Sequence, residues 1–337
     1  MEAALNALTL MGNFVFIPAI AYGSQLALGA LGVTLVYGIL RFSNFAHGET
    51  MSFGAMIAIL GMWGLQSAGI GIDPLPTILL TIPLAVLVTA LFLLGTDRLI
   101  YRYYRKVKAQ PVTLLIVSVG VMFFMNGLIR FVIGPDNQRV VDGERFIIRA
   151  RDFKEMTGLN EGLALKTSQV ISIVAALICM SALFWFLSRT RAGKSMRAYS
   201  DNEDLALLSG VNPDRVVMYV WLIGGALAAI AGALYGLDKS YKPFVFQQLL
   251  LPVFAAAIVG GLGSPPGAIL GGYLIAFAEV MVTYAYKKFV KYLAPEGWEP
   301  EGLVQLLSVE YKFAVSFIIL VIVLLIRPTG IFRGKAL

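Results

Sequence analysis

The chain has 337 residues, of which 58% are hydrophobic and 14% charged. A water-soluble domain of this length carries about 25% charged residues. Several runs of roughly 20 apolar residues are each long enough to cross a hydrocarbon core of about 30 Å, and the short alternating segments of a transmembrane barrel are absent, so a soluble fold and a membrane barrel are both excluded. The formal charge of +7 falls in short loops between the apolar runs, where the positive-inside bias of membrane proteins explains it better than nucleic-acid binding does.

The pattern predicts an all-α, polytopic transmembrane helical domain covering 1–337, with about eight spans (range 7–10) and two broken or re-entrant segments. Apolar segments lie at about 13–40, 47–67, 75–97, 111–133, 169–188, 214–237, 250–286 and 311–326. The first is too long, and too poor in flanking positive charge, for a cleaved signal peptide. It runs into "RFSNFAHGE" (41–49), which holds Asn44, Glu49 and the single histidine, His47. Such groups facing lipid would be costly, so they face protein or water. The cluster reads as a break between two helices, either a structural knot that satisfies freed backbone groups or a lining of a translocation path. His47 and Glu49, two residues apart, cannot share a helical face and serve different neighbours. A metal site would need further histidine or cysteine nearby, so none is expected.

The stretch 98–108, "RLIYRYYRKVK", carries five basic residues and no acid, and 189–197, "RTRAGKSMR", is similarly basic. Both are expected in the cytoplasm, with the tail 328–337, whereas 134–168 balances acids against bases and is expected in the periplasm. Arg130 and Asn126 fall near the outer end of the fourth span. Cys179, the only cysteine, lies in an apolar run and reads as a small core residue.

A coupling loop of about 189–213 follows. "AGKS" (192–195) lacks the upstream glycine of a phosphate-binding loop, because Ser188 stands there. Ser200 and Glu203 have the spacing of a capping box, with Ser200 as N-cap of a short helix over 201–208 that stops at Gly210. Asn212 and Pro213 open the next helix. The short helix would show Leu205, Leu207 and Leu208, which need a partner: the protein's own membrane ends, or a docked cytoplasmic subunit. Further on, "GGLGSPPG" (260–267) interrupts an over-long apolar segment. Gly260, Gly261 and Gly263 permit close backbone approach, and Pro265 and Pro266 forbid a continuous helix. The break is either a structural re-entrant turn or part of a gate opposite the first break, an arrangement many transporters use. Glu279 lies within the following span, where it either snorkels or forms a buried pair with Arg130.

The stretches "GVTLVYGILRFSNFAHGETMSFGA" (32–55), "MRAYSDNEDLALLSGVNPDRVV" (196–217), "GALAAIAGALYG" (225–236), "AAAIVGGLGSPPGAILGGYLIAFAE" (255–279) and "IRPTGIF" (326–332), in this order, resemble the permeases of bacterial high-affinity branched-chain amino acid ABC importers. The resemblance covers nearly the whole chain, and the chain looks like the shorter of the two permease types. It implies an inner-membrane subunit that is not itself an enzyme and that works by alternating access. It also implies a second homologous permease subunit, two cytoplasmic ATPases that bind ATP and Mg, and a periplasmic substrate-binding protein. No cofactor is expected in this chain. Relatives that carry urea or short amides leave those solutes as an alternative to branched-chain or other apolar amino acids. A passive channel for a small neutral solute is the alternative from another class, but it would need no docking helix. An ion-coupled transporter would need buried acids mid-membrane, for which only Glu49 and Glu279 qualify.

Overall fold

Prolines stand near the starts of five long helices; in four of them the missing N–H removes no intrahelical bond and the fixed φ suits the helix, whereas the first of the five continues a π-helical turn. The computed structural model describes residues 2–140, 143–294, 302–327 and 329–332. The proline-started helices are α2 (Ile17–Leu40), α6 (Pro111–Ile133), α11 (Pro213–Lys239), α12 (Pro243–Gly260) and α13 (Pro265–Thr283). Between and around them run α1 (Glu2–Met11), α3 (His47–Ser67), α4 (Ile78–Thr96), α5 (Arg102–Lys106), α7 (Ala150–Thr157), α8 (Thr167–Arg189), α9 (Arg191–Asp201), α10 (Glu203–Leu208), α14 (Lys287–Leu293) and α15 (Lys312–Ile326). A π-helical turn, Gly12–Phe16, joins α1 to α2, and a second, Asp97–Tyr101, joins α4 to α5. The hairpin of β1 (Phe146–Ile148) and β2 (Leu165–Lys166) lies in the stretch expected outside the membrane.

Among the described residues, eight helical stretches are long and apolar enough to cross a membrane: Glu2–Leu40, Ile78–Lys106, Pro111–Ile133, Thr167–Arg189, Pro213–Lys239, Pro243–Gly260, Pro265–Thr283 and Val309–Ile326. The α3 helix is 21 residues long, about 31 Å at 1.5 Å per residue, but its opening turn carries His47 and Glu49. The expected 250–286 span is two helices of 18 and 19 residues. The turn between them meets the end of α15, because Ile331 and Phe332 donate backbone N–H groups to the Val259 and Gly260 carbonyls at 2.8 and 3.2 Å. The "GGLGSPPG" stretch is a turn between two helices, each long and apolar enough to span. Of the expected cytoplasmic tail, residue 328 and residues 333–337 lie outside the described residues.

The α2 helix is the hub. It is apolar all round and buried almost all round, as a helix without a solvent face must be, and it packs on α13, α11, α8 and α12. Small residues let these helices close up without any hydrophobic drive from lipid. A side chain at Gly232 of α11 would lie 1.9 Å from the Met51 carbonyl oxygen of α3. By contrast, α15 buries only Val315 and Ser316 and sits at the rim.

Candidate transport site and coupling surface

The first polar cluster is a short link between buried helices. The α2 helix ends with Arg41 in the left-handed conformation, φ 56°, its N–H bonded to the Tyr37 carbonyl at 2.9 Å. Non-helical backbone follows to Ala46, and α3 begins at His47. Phe42, Asn44, Ala46, His47 and Glu49 are all buried. Two of the link's freed backbone N–H groups are met by side chains, one within the link and one from α6. The Asn44 side-chain oxygen accepts from the Ala46 N–H at 3.1 Å, and the Phe45 N–H donates to Ser118 Oγ at 3.0 Å.

His47 and Glu49 do serve different neighbours. His47 Nε2–H donates to the Gly29 carbonyl oxygen at 3.0 Å, a bond that requires the Nε2-protonated tautomer. The ring fills the space above Gly32, where a side chain would lie 2.6 Å from its Cε1. Glu49 turns to α6, and its Oε1 accepts from Asn126 Nδ2 at 2.8 Å. Arg130, one turn along α6 from Asn126, is the cation acting on Glu49, and its guanidinium also sits 6.0 Å from the Phe244 ring centroid. Asn126 is half-buried and Arg130 exposed, so this polar trio reaches the flank of the bundle.

The expected Glu279–Arg130 pair does not form. Arg130 is engaged as above, and Glu279 accepts a hydrogen bond from the Ser316 hydroxyl of α15. The cation nearest in effect to Glu279 is Lys312, whose Nζ lies 4.6 Å from the Tyr22 ring centroid and 4.8 Å from that of Phe313. Of the second-break glycines, Gly260 packs its backbone on Gly267, and Gly261, at φ 108°, lies against the Phe332 carbonyl. Gly263, at φ 84°, faces open space.

Sequence reasoning missed a second polar network beside the first break. Tyr101 donates to the Asn44 side-chain oxygen at 3.3 Å and stacks on Trp221 with centroids 5.1 Å apart. Trp221 Nε1–H donates to Asp97 at 2.7 Å, and Arg105 grips the same carboxylate with both guanidinium nitrogens. The π-helical turn at 97–101 is what aims Asp97 inward; only its position among basic residues hinted at a partner.

The stretch 189–213, expected to be a coupling loop, is largely helical. "AGKS" folds inside α9, which is capped by Thr190 through Gly193 N–H at 2.9 Å. Ser200 is not an N-cap. It is buried near the end of α9, and its hydroxyl donates to the Gly38 carbonyl in the last turn of α2 at 2.9 Å. Arg41 in turn donates to the Ser200 carbonyl at 2.5 Å. Asn202 caps α10 by accepting the Leu205 N–H at 3.0 Å, and Glu203 accepts from the Tyr199 hydroxyl at 2.6 Å. Burial first, then that bond to Glu203, pushes the Tyr199 hydroxyl pKa up. Asn212 caps α11 as expected. Only Ala206 of α10 is buried; Leu205, Leu207 and Leu208 are 61%, 41% and 85% exposed.

Two cavities lie at opposite ends of α11, which is about 40 Å long at 1.5 Å per residue. One of about 590 Å³ is lined by Arg139, Glu144, Lys166, Asp238 and Lys239 among others, and one of about 200 Å³ by residues of 94–102 and 212–218. Neither is lined by Asn44, His47 or Glu49.

A bundle of helices long and apolar enough to span, with a buried polar link between two core helices, has the architecture of a membrane transport component. The chain belongs to the family described as branched-chain amino acid transport system, permease component, which it matches over residues 16–324. It is similar to the high-affinity branched-chain amino acid transport system permease protein LivH of Salmonella typhimurium, 30% identical over 93% of this chain and 92% of that protein. BraD of Pseudomonas aeruginosa, of the same description, is 30% identical over 92% of each chain. A probable branched-chain amino acid transport permease protein LivH of Methanocaldococcus jannaschii is 28% identical over 93% of this chain and 90% of that one. The chain is thus a multi-pass inner-membrane transport component and not an enzyme.

Proposed function

We propose that this chain is the permease subunit of an ATP-driven importer that moves branched-chain or other apolar amino acids by alternating access. The observation that carries the reading is the bracket formed by α9 and α10. A six-residue helix is too short to persist alone in water, yet here it is capped, tied to Tyr199, and joined to the end of α2 with its leucines outward. That suits docking of a cytoplasmic ATPase, which binds the ATP and Mg, one beneath each of two homologous permease subunits. The match to LivH and BraD over nearly their full lengths supports the substrate class.

Glu49, Asn126 and Arg130 belong to the flank that meets the second permease subunit. Intramembrane polar groups that reach a bundle surface need protein or water beside them, so we assign this flank to the path between the subunits. His47 and Asn44 hold the link behind it. Residues 134–168 and the 590 Å³ cavity face the periplasm, where a substrate-binding protein delivers the cargo. A fructose import permease protein, FruG of Bifidobacterium longum, is 27% identical over 70% of this chain, so cargo has to be measured directly. The test is uptake of labelled leucine, urea and glutamate by the reconstituted complex. Leucine uptake that requires ATP and the binding protein is expected; uptake of urea alone, or uptake without ATP, would overturn the reading.

A further inference from the structure

One face of α4 carries Leu80, Leu84, Leu87 and Leu91 at alternating spacings of four and three residues, each between 46% and 58% exposed. This spacing makes a continuous stripe along a helix. Three residues further, Leu94 forms part of the wall of the cavity of about 200 Å³, and Arg98 and Arg102 follow it at successive steps of four. The opposite wall is the N-cap and first two turns of α11, with Asn212, Asp214, Arg215 and Met218. A row of leucines therefore leads directly into a pocket of guanidinium groups.

The charges in that pocket do not cancel. Asp97 is taken by Arg105 and Trp221. Asp214 is taken by Arg102 at 3.2 Å, an exposed pair worth little on its own. Arg98 and Arg215 make no ion pair among the described residues, and Arg102 Nε is buried without a hydrogen-bond partner. The backbone N–H groups at the start of the 27-residue α11 add the positive end of a helix dipole. The pocket thus has two free cations, an unsatisfied buried donor and a helix N-terminus, all at the end of a lipid-length apolar track.

We infer that this pocket binds the phosphate of an anionic phospholipid, with an acyl chain lying on Leu80, Leu84, Leu87 and Leu91. The leucine track selects a lipid over free phosphate, because only a lipid has both parts. The depth order selects it over an acidic protein surface: the apolar track runs along the membrane span and the arginines stand at its end, matching tail and headgroup. Basic pockets between transmembrane helices at the cytoplasmic side are suited to such headgroups. The inference does not depend on the cargo or on ATPase docking.

The experiment uses the full-length chain in neutral detergent, titrated separately with fluorescent phosphatidylglycerol, fluorescent phosphatidylcholine and inorganic phosphate. Phosphatidylglycerol should bind at least tenfold more tightly than phosphatidylcholine. Arg98→Gln with Arg215→Gln should weaken it by about 30-fold, as expected for two surface arginines, while Arg98→Lys with Arg215→Lys should retain most of the binding and serve as the folding control. Leu87→Asn with Leu91→Asn should weaken the lipid and leave phosphate unaffected. Equal binding of the two lipids, or wild-type affinity in the double Gln variant, would overturn the site. Phosphate that matches phosphatidylglycerol with the leucines irrelevant would make it a free-anion site and overturn the lipid assignment. Loss of a co-purifying protein subunit with lipid binding unchanged would make it a protein interface instead.

Discussion

Replacing Leu205 and Leu208 together with Asp should release the ATPase while leaving the permease folded in the membrane. Complete burial of an exposed leucine side chain contributes about 1.5–3 kcal/mol. Leu208 is 85% exposed and Leu205 61%, so docking has about 1.3–2.6 and 0.9–1.8 kcal/mol still to gain from them by the same scale. Together that is on the order of 2–4 kcal/mol, or roughly 30- to 1000-fold in affinity. Leu207, already more than half covered at 41% exposure, has less to give, so it is the weaker site to mutate. Two carboxylates carried into an apolar groove without partners add a further penalty. Both side chains are exposed, and the side-chain oxygen of the Asn202 cap is untouched. Co-purification with a tagged ATPase reads the outcome, and Met156→Asp, on the equally exposed but distant α7, is the control. If the double Asp variant keeps its ATPase at the wild-type level and transports normally, α10 is not the docking element and its leucines serve the permease itself.

In a background with Cys179 replaced by Ser, Lys106→Cys should react with a membrane-impermeant thiol reagent only after the membrane is opened, and Lys154→Cys should react in intact cells; the reverse pattern would invert the topology. Arg41→Gln with Ser200→Ala removes both bonds between α9 and the end of α2, so it should lower ATP-driven uptake at least tenfold with the ATPase still bound; unchanged uptake would show that the bracket transmits nothing. His47→Ala should lower the melting temperature in detergent, because it removes a buried hydrogen bond to the Gly29 carbonyl, worth about 0.5–1.5 kcal/mol, and empties the space its ring fills above Gly32. Glu49→Gln keeps the oxygen that accepts from Asn126 and loses only the charge facing Arg130. It should melt like the wild type and transport at least tenfold more slowly, and normal uptake would remove Glu49 from the path.

The helix starts were legible where the signal is local. Asn212 followed by Pro213 specifies a start by itself, and the structure has it. Ser200 misled because two residues that can N-cap, Ser200 and Asn202, stand two positions apart, and the contest was decided by a residue 162 positions away: Ser200 donates to the Gly38 carbonyl from inside α9, and Asn202 takes the cap. The partner of Glu279 was unreadable for a similar reason. Arg130 and Lys312 are both cations near span ends, and only the packing of α15 on α13 chooses Lys312. The break at 41–46 was visible as polarity within an apolar run, but its splitting into a His47 side and a Glu49 side was visible only as a helical phase. Asp97 gave almost no signal, since its inward aim depends on an extra residue in one helical turn.

The physical connection between the exposed leucines and the polar flank is short. The last carbonyls of any helix lack intrahelical donors, and those of α2 are met in part by Ser200 from α9, while Arg41 reaches back to hold Ser200. A displacement of α9 therefore has to carry the end of α2 with it or break two buried or half-buried hydrogen bonds. The α2 helix cannot yield alone, because it is enclosed by α8, α11, α12 and α13, so force at its end goes either into rigid movement of that core or into the six-residue link that follows. The link offers least resistance: it has no helical hydrogen-bond ladder, and its own bonds run through the side chains of Asn44 and Ser118. Glu49 stands three residues after the link ends, on the first turn of α3, so a rotation of that turn moves its carboxylate relative to Asn126 and Arg130.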